Sequence, residues 1–176
     1  SDPSMLEYFN DNVNEVLSDG VDLLFCNLQE AQLWSGEEDL DKAVEALKTI
    51  AKQFAVTTGA DGSLLWDGEQ LLNIAPRRVP VVDTNGAGDM FSGAFLYGIT
   101  NGMGFEEAGA LASVASATVV TQYGPRLDPK AHKQLLSLYV DGRYVQSFQP
   151  LNYPIGVKEP LDFGEADDGN GCGDPP

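Results

Sequence analysis

The stretch that most limits what this chain can fold into is Asp83-Thr84-Asn85-Gly86-Ala87-Gly88-Asp89-Met90-Phe91-Ser92-Gly93-Ala94-Phe95. Before it, Val79-Pro80-Val81-Val82 reads as the end of a strand or an extended lead-in. After it, Met90, Phe91, Ala94, Phe95 and Leu96 recur at helical spacing. The Gly-Ala-Gly triplet therefore sits where an extended segment hands over to a helix. Small residues there let the backbone approach a ligand, and the first N–H groups of the helix have no intrahelical acceptor. With the positive end of the helix dipole, they make an anion site. Asp89 lies in the first turn beside it, and two readings stand. The dipole alone favours a carboxylate there, and Gly-rich turns are common punctuation. Alternatively, a carboxylate that would repel phosphate is kept to take the proton of a hydroxyl attacking that phosphate. The glycines at 86, 88 and 93 do not form G-x-G-x-x-G, and no Gly-Lys-Ser/Thr follows, which excludes a dinucleotide fingerprint and a Walker loop.

The pattern elsewhere alternates helix and strand. Residues 4–18 read as a helix with Leu6, Phe9, Val13, Val16 and Leu17 near one face, closed by Gly20. Val21-Asp22-Leu23-Leu24-Phe25-Cys26 is an apolar run of the kind buried in parallel sheets. Asn27 and Glu30 follow it, either as a reciprocal helix cap or as ligand-facing groups at the carboxyl end of a parallel strand. Residues 39–53 predict an amphipathic helix through Leu40, Ala43, Val44, Leu47, Ile50 and Ala51, and 54–58 a buried strand. Two runs, 63–67 and 71–75, predict a hairpin turning at Gly68-Glu69. Trp66 reads as packing, and Arg77 and Arg78, near the main motif, either as a solvated pair or as groups that touch phosphate. A helix rich in small residues is expected over 105–122. Another spans 128–140, with Leu135, Leu136 and Leu138 packed and His132 facing solvent. Strand–helix alternation gives an α/β layered fold with a mainly parallel sheet.

Charge and composition narrow the function. Across 176 residues, 27 acidic groups face 10 basic ones, for a net charge of −17. Nucleic acid and anionic membrane both need a basic surface, so neither is expected as a partner. Six of the acids, and no Lys or Arg, lie in 159–176, yet the remainder is still acidic. No apolar run approaches a membrane span. Cys26 reads as a buried core thiol and Cys172 as part of a loosely held tail, in keeping with a reduced, cytoplasmic protein. One histidine leaves no Ser-His-Asp triad and no multi-histidine metal site.

Asp-Thr-x-Gly-Ala-Gly-Asp followed by Phe-x-Gly-Ala-Phe resembles the signature of the ribokinase (PfkB) family of sugar and nucleoside kinases. The resemblance implies that the amides of Gly86, Ala87 and Gly88 form an anion hole and that Asp89 is the catalytic base. Asn27 and Glu30 match the family's Asn-x-x-Glu motif, which implies handling of Mg²⁺, Glu30 acting through water. Thr57-Thr58-Gly59-Ala60-Asp61-Gly62 resembles its nucleotide-binding turn, placing Thr57, Gly59 and Gly62 against ATP. Ser113 is then the candidate for adenine contact, and Asp83, with carbonyls near Asn85 and Gly124, for a monovalent cation such as K⁺. The resemblance covers about 1–140, the carboxyl-terminal portion of a kinase domain, with 141–176 an extension whose acidic end is expected to be disordered. Members are roughly twice this long, so the amino-terminal half and its lid are expected to be missing. The sheet edge this exposes implies self-association, for example as a homodimer. The acceptor is a sugar or nucleoside, and the Val21–Asn27 segment looks somewhat like the adenosine-kinase-like branch. A kinase-like protein that binds nucleotide or a partner without catalysis is the alternative.

Overall fold

A computed structural model of the chain describes residue 8 and residues 12–137, 139–140 and 143–144. Strand β1 (Val21–Asn27) leads through helices α1 (Leu28–Ser35) and α2 (Leu40–Leu47) to strand β2 (Ala51–Thr57), which pairs with it in parallel. A single 3₁₀ turn (Gly59–Asp61) then reverses the chain. Strands β3 (Ser63–Trp66) and β4 (Leu71–Ile74) continue the sheet as an antiparallel hairpin. Helices α3 (Ala87–Thr100), α4 (Phe105–Val119) and α5 (Pro129–Ser137) follow, then the short pair β5 (Tyr139–Val140) and β6 (Arg143–Tyr144).

Period-two alternation splits the four-stranded sheet between two cores. Leu23, Phe25, Ala55 and Leu65 turn to one face, packing with Phe91 and Phe95 of α3 and Ala108, Leu111 and Ala112 of α4. Leu24, Cys26, Phe54, Val56 and Leu64 turn to the other, under Ala31 of α1 and Ala43, Val44 and Leu47 of α2. The result is a three-layer α/β/α arrangement. Phe95, fully buried, meets Phe25 edge-on at 5.6 Å and Phe105 at 5.0 Å, joining α3 to β1 and to the start of α4. The small residues of α4 let it sit close: a Cβ on Gly109 would lie 2.5 Å from a methyl of Leu65.

Several boundaries differ from the sequence reading. The helix expected over 39–53 stops at Leu47, where Thr49 and Ile50 donate to Ala46 and Leu47 in tight i→i−3 bonds. Ala51 opens β2, opposite Val21. Its burial in the sheet carried the apolar rhythm past the true helix end. The α/β class holds, but the sheet is mixed: of its three ladders only β1–β2 is parallel. β1 is an edge strand among the described residues, so its apolar run is half-buried rather than enclosed. Val16 is 75% exposed, not packed. The helix ending at 122 closes at Val119, and the one over 128–140 runs Pro129–Ser137 with Leu135 buried and His132 exposed. Leu6, Phe9, Leu138, Cys172 and the acidic end lie outside the described residues, as do the side chains of Leu136 and Gln134.

Candidate active site

The handover into α3 is built by hydrogen bonds to one carboxylate. Asp83 Oδ1 accepts from the amide of Asn85, and Oδ2 from the amide of Gly124, both at 2.9 Å. These two amides hold the Asp83 carboxyl below its ordinary range. The amides of Val82 and Asp83 donate to the carbonyl of Val120, so the lead-in lies along the end of α4. Gly86 then caps α3 at φ +78°, and a Cβ there would stand 2.6 Å from that of Pro125. Only glycine combines that backbone with that approach.

In the first turn, Ala87 N–H donates to Thr84 and Met90 N–H to Gly86. Among the described residues, no backbone carbonyl receives the amides of Gly88 or Asp89. Gly88 is exposed with nothing within 4 Å of the place a Cβ would take, and Asp89 is exposed beside it.

These two neighbours open onto different cavities. The first, about 580 Å³, is lined by Ala87 and Gly88 of α3 together with Thr57, Gly59, Gly62 and Ser113. It thus collects every residue assigned to nucleotide from the sequence. Gly62 earns its place structurally: at φ +103° its Cβ would meet the Ile74 carbonyl at 2.2 Å. Ser113 Oγ donates to the Ala75 carbonyl at 3.1 Å, fixing the chain that leaves β4. The second cavity, about 550 Å³, holds Asp89 with Met90, Ala94, Tyr97, Arg126 and His132.

Asn27 and Glu30 form a reciprocal cap. Asn27 Oδ1 accepts from Glu30 N–H at 2.8 Å, and Glu30 Oε2 from Asn27 N–H at 2.9 Å. They sit at the carboxyl end of β1, where Asn27 is paired with Thr57, but neither lines the first cavity. Glu30 is 5% exposed. Burial, with Glu30 nearby, pushes the Cys26 thiol up to about 12, although Cys26 is half-buried at the edge of the second core and not fully enclosed as expected. Among the described residues no three acidic, histidine or cysteine side chains gather into a metal cage. Asn27 Oδ1 and Glu30 Oε2 are both spent on the cap, so what this pair offers a hydrated ion is contact through the ion's own water. Asp83, Asn85 and Gly124 lie together, joined through the two amides that the Asp83 carboxylate accepts.

The sequence left Arg77 and Arg78 between a solvated pair and a phosphate contact, and both line the first cavity. Pro76 precedes them and Pro80 follows Val79, which biases Ala75 and Val79 toward extended backbone on either side. His132, read as merely solvent-facing, is exposed at the second cavity. Trp66 does pack, with the Lys48 ammonium 4.2 Å over its ring.

With this geometry in place, known proteins supply the context. An adenosine kinase from Sinorhizobium meliloti superimposes with TM-score 0.71 at 34% identity, over 76% of this chain and 42% of that one. A ribokinase from Arabidopsis thaliana, complexed with ribose and ATP, gives 0.61 at 31%, over 70% and 43%. In sequence, a ribokinase from Lactococcus lactis is 40% identical over 80 residues, 46% of this chain and 27% of the relative. The chain thus spans less than half the length of the relatives it matches. The family profile described as pfkB family carbohydrate kinase matches residues 1–131, most of the sequence. The chain belongs to the pfkB family of carbohydrate kinases.

Proposed function

We propose that this chain is the nucleotide-binding and catalytic-base portion of a cytoplasmic, ATP-dependent kinase that phosphorylates a hydroxyl of a sugar or nucleoside. One observation carries the reading: the first turn of α3 presents the open amide of Gly88 to one cavity and the exposed carboxylate of Asp89 to another. ATP occupies the first cavity, against Thr57, Gly59, Gly62 and Ser113. The acceptor hydroxyl approaches from the side of Asp89. Its oxygen bonds to the γ-phosphorus as the bond to the β-phosphate oxygen breaks and ADP leaves, and Asp89 takes the hydroxyl proton. Of the amides of Gly86, Ala87 and Gly88, that of Ala87 is already bonded to Thr84, so Gly88, with Asp89 N–H, carries most of the donation to the transferring group. Mg²⁺, when bound, neutralises charge across the phosphates, and Asn27 and Glu30 would hold it through water. Asp83 with the carbonyls beside Asn85 and Gly124 would hold K⁺, stiffening the same turn.

Calorimetric titration of the chain with Mg·ATP tests the site. Binding should persist in Asp89→Asn and vanish in Gly88→Val, whose side chain enters open cavity rather than protein. Turnover of ATP with ribose, fructose or adenosine should fall about 10²–10⁴-fold in Asp89→Asn. Near-normal turnover in that variant, or binding indifferent to Gly88→Val, would refute the assignment. A nucleotide-binding protein without catalysis remains the second reading, marked by binding with no turnover on any acceptor.

A further inference from the structure

The first cavity is an electrostatic exception in this molecule. The sequence carries 27 acids and 10 bases, yet the residues lining this cavity include two arginines and no carboxylate. The lysines of the α1–β2 region are answered by acids: Lys42 by Glu37, Lys48 by Glu45 and Lys52 by Asp22. Arg78 is exposed and takes part in none of these pairs, whereas Arg77 is half-buried and already engaged. A guanidinium left over from the ion pairing of an acidic protein, on the wall of a concave site, is a charge placed for an anion.

The path that delivers it is fixed. Ser113 clamps the Ala75 carbonyl, and Gly62 comes so close to Ile74 and Pro76 that no side chain fits between them. Pro76 and Pro80 bias the residues before them, Ala75 and Val79, toward extended backbone on either side of the arginines. Arg78 thus lines the cavity from a segment anchored at its start. The open Gly88 amide, in the first turn of α3, lines the same cavity.

We propose that Arg78 is a positioning residue for the polyphosphate of the bound nucleotide. It neutralises phosphate charge within the cavity that the Gly88 amide also lines, and sets affinity for di- and triphosphates over the bare nucleoside. This rests on the nucleotide reading of the cavity given above. Arg at such a place offers a planar, two-pronged donor set that lysine reproduces only as a point charge.

The test is calorimetric binding of ATP, ADP and adenosine to the chain and to Arg78→Gln, Arg78→Lys and Lys130→Gln. Lys130 is exposed on α5 and lines neither cavity, so its variant matches the change in net charge alone. Arg78→Gln should weaken ATP and ADP at least about tenfold and leave adenosine unchanged. Arg78→Lys should recover part of the loss, and Lys130→Gln should bind as the parent does. If Arg78→Gln binds ATP normally while Gly88→Val abolishes binding, the nucleotide site stands and the role of Arg78 falls. Equal weakening by Arg78→Gln and Lys130→Gln, or equal loss of adenosine and ATP, also overturns it. If the folded parent binds neither ATP nor adenosine, the nucleotide reading fails first and takes this one with it.

Discussion

Asp83 and Asp89 bracket the same turn and spend their charge differently. Asp83 is tied by two backbone amides that come from opposite sides of the site, whereas Asp89 faces an open cavity. Because Asp83 is depressed below its ordinary 3.8 in the folded chain, its contribution to stability is present above that value and is lost as pH falls through the lower, folded one. Thermal melts from pH 5 down to 2.5 should therefore show a steeper acid loss in the parent than in Asp83→Asn, with the two curves converging at the acid end. Parallel curves would mean the carboxylate does not hold the turn. At this scale the sequence was readable where a residue's local duty and its functional duty leave the same mark. Asn27 and Glu30 are spaced for a cap, and a cap is what they form. For Arg78 the sequence left two readings open, because nothing local separates a cavity arginine from a solvated one. Its role depends on the Ser113–Ala75 bond, formed by residues 38 apart in sequence.

Among the elements, α3 is the one on which the others bear. Its inner face puts Phe91 and Phe95 into the core, with the rings of Phe25 and Phe105 edge-on to Phe95. Phe95→Ala should cost about 3–5 kcal/mol, read from urea unfolding, since the cavity left behind touches β1, α3 and α4 at once. A loss near zero would mean the helix is held mainly by its first turn. The helical periodicity of α3, the capped start of α1 and the hairpin at Gly68 all follow from local chemistry, and Asp67 accepts the amides of Glu69 and Gln70 as that turn requires. The end of α2 does not follow from it. Ile50 and Ala51 keep helical spacing with Leu47, and only the pairing of Ala51 with Val21 decides for a strand.

For the whole molecule, the reading of a mainly parallel sheet failed for a simple reason. The hairpin was visible, but whether it joins the sheet through β2 is a tertiary fact, and with four strands it determines the balance. β1 keeps one unpaired edge among the described residues, and Leu23, Leu24 and Phe25 are only half-buried behind it. A free apolar edge of this kind invites a second strand. We expect sedimentation velocity to show a mass that rises with protein concentration, and a constant protomer mass would count against it. No helix among the described residues is long and apolar enough to cross a membrane. A last consequence belongs to the partition made by Gly88 and Asp89, adjacent residues that serve separate cavities. One residue advances a helix by roughly 100°. Inserting or deleting a single amino acid in this turn would therefore exchange what each compartment sees, carboxylate for open amide. The turn's length is constrained as tightly as its composition.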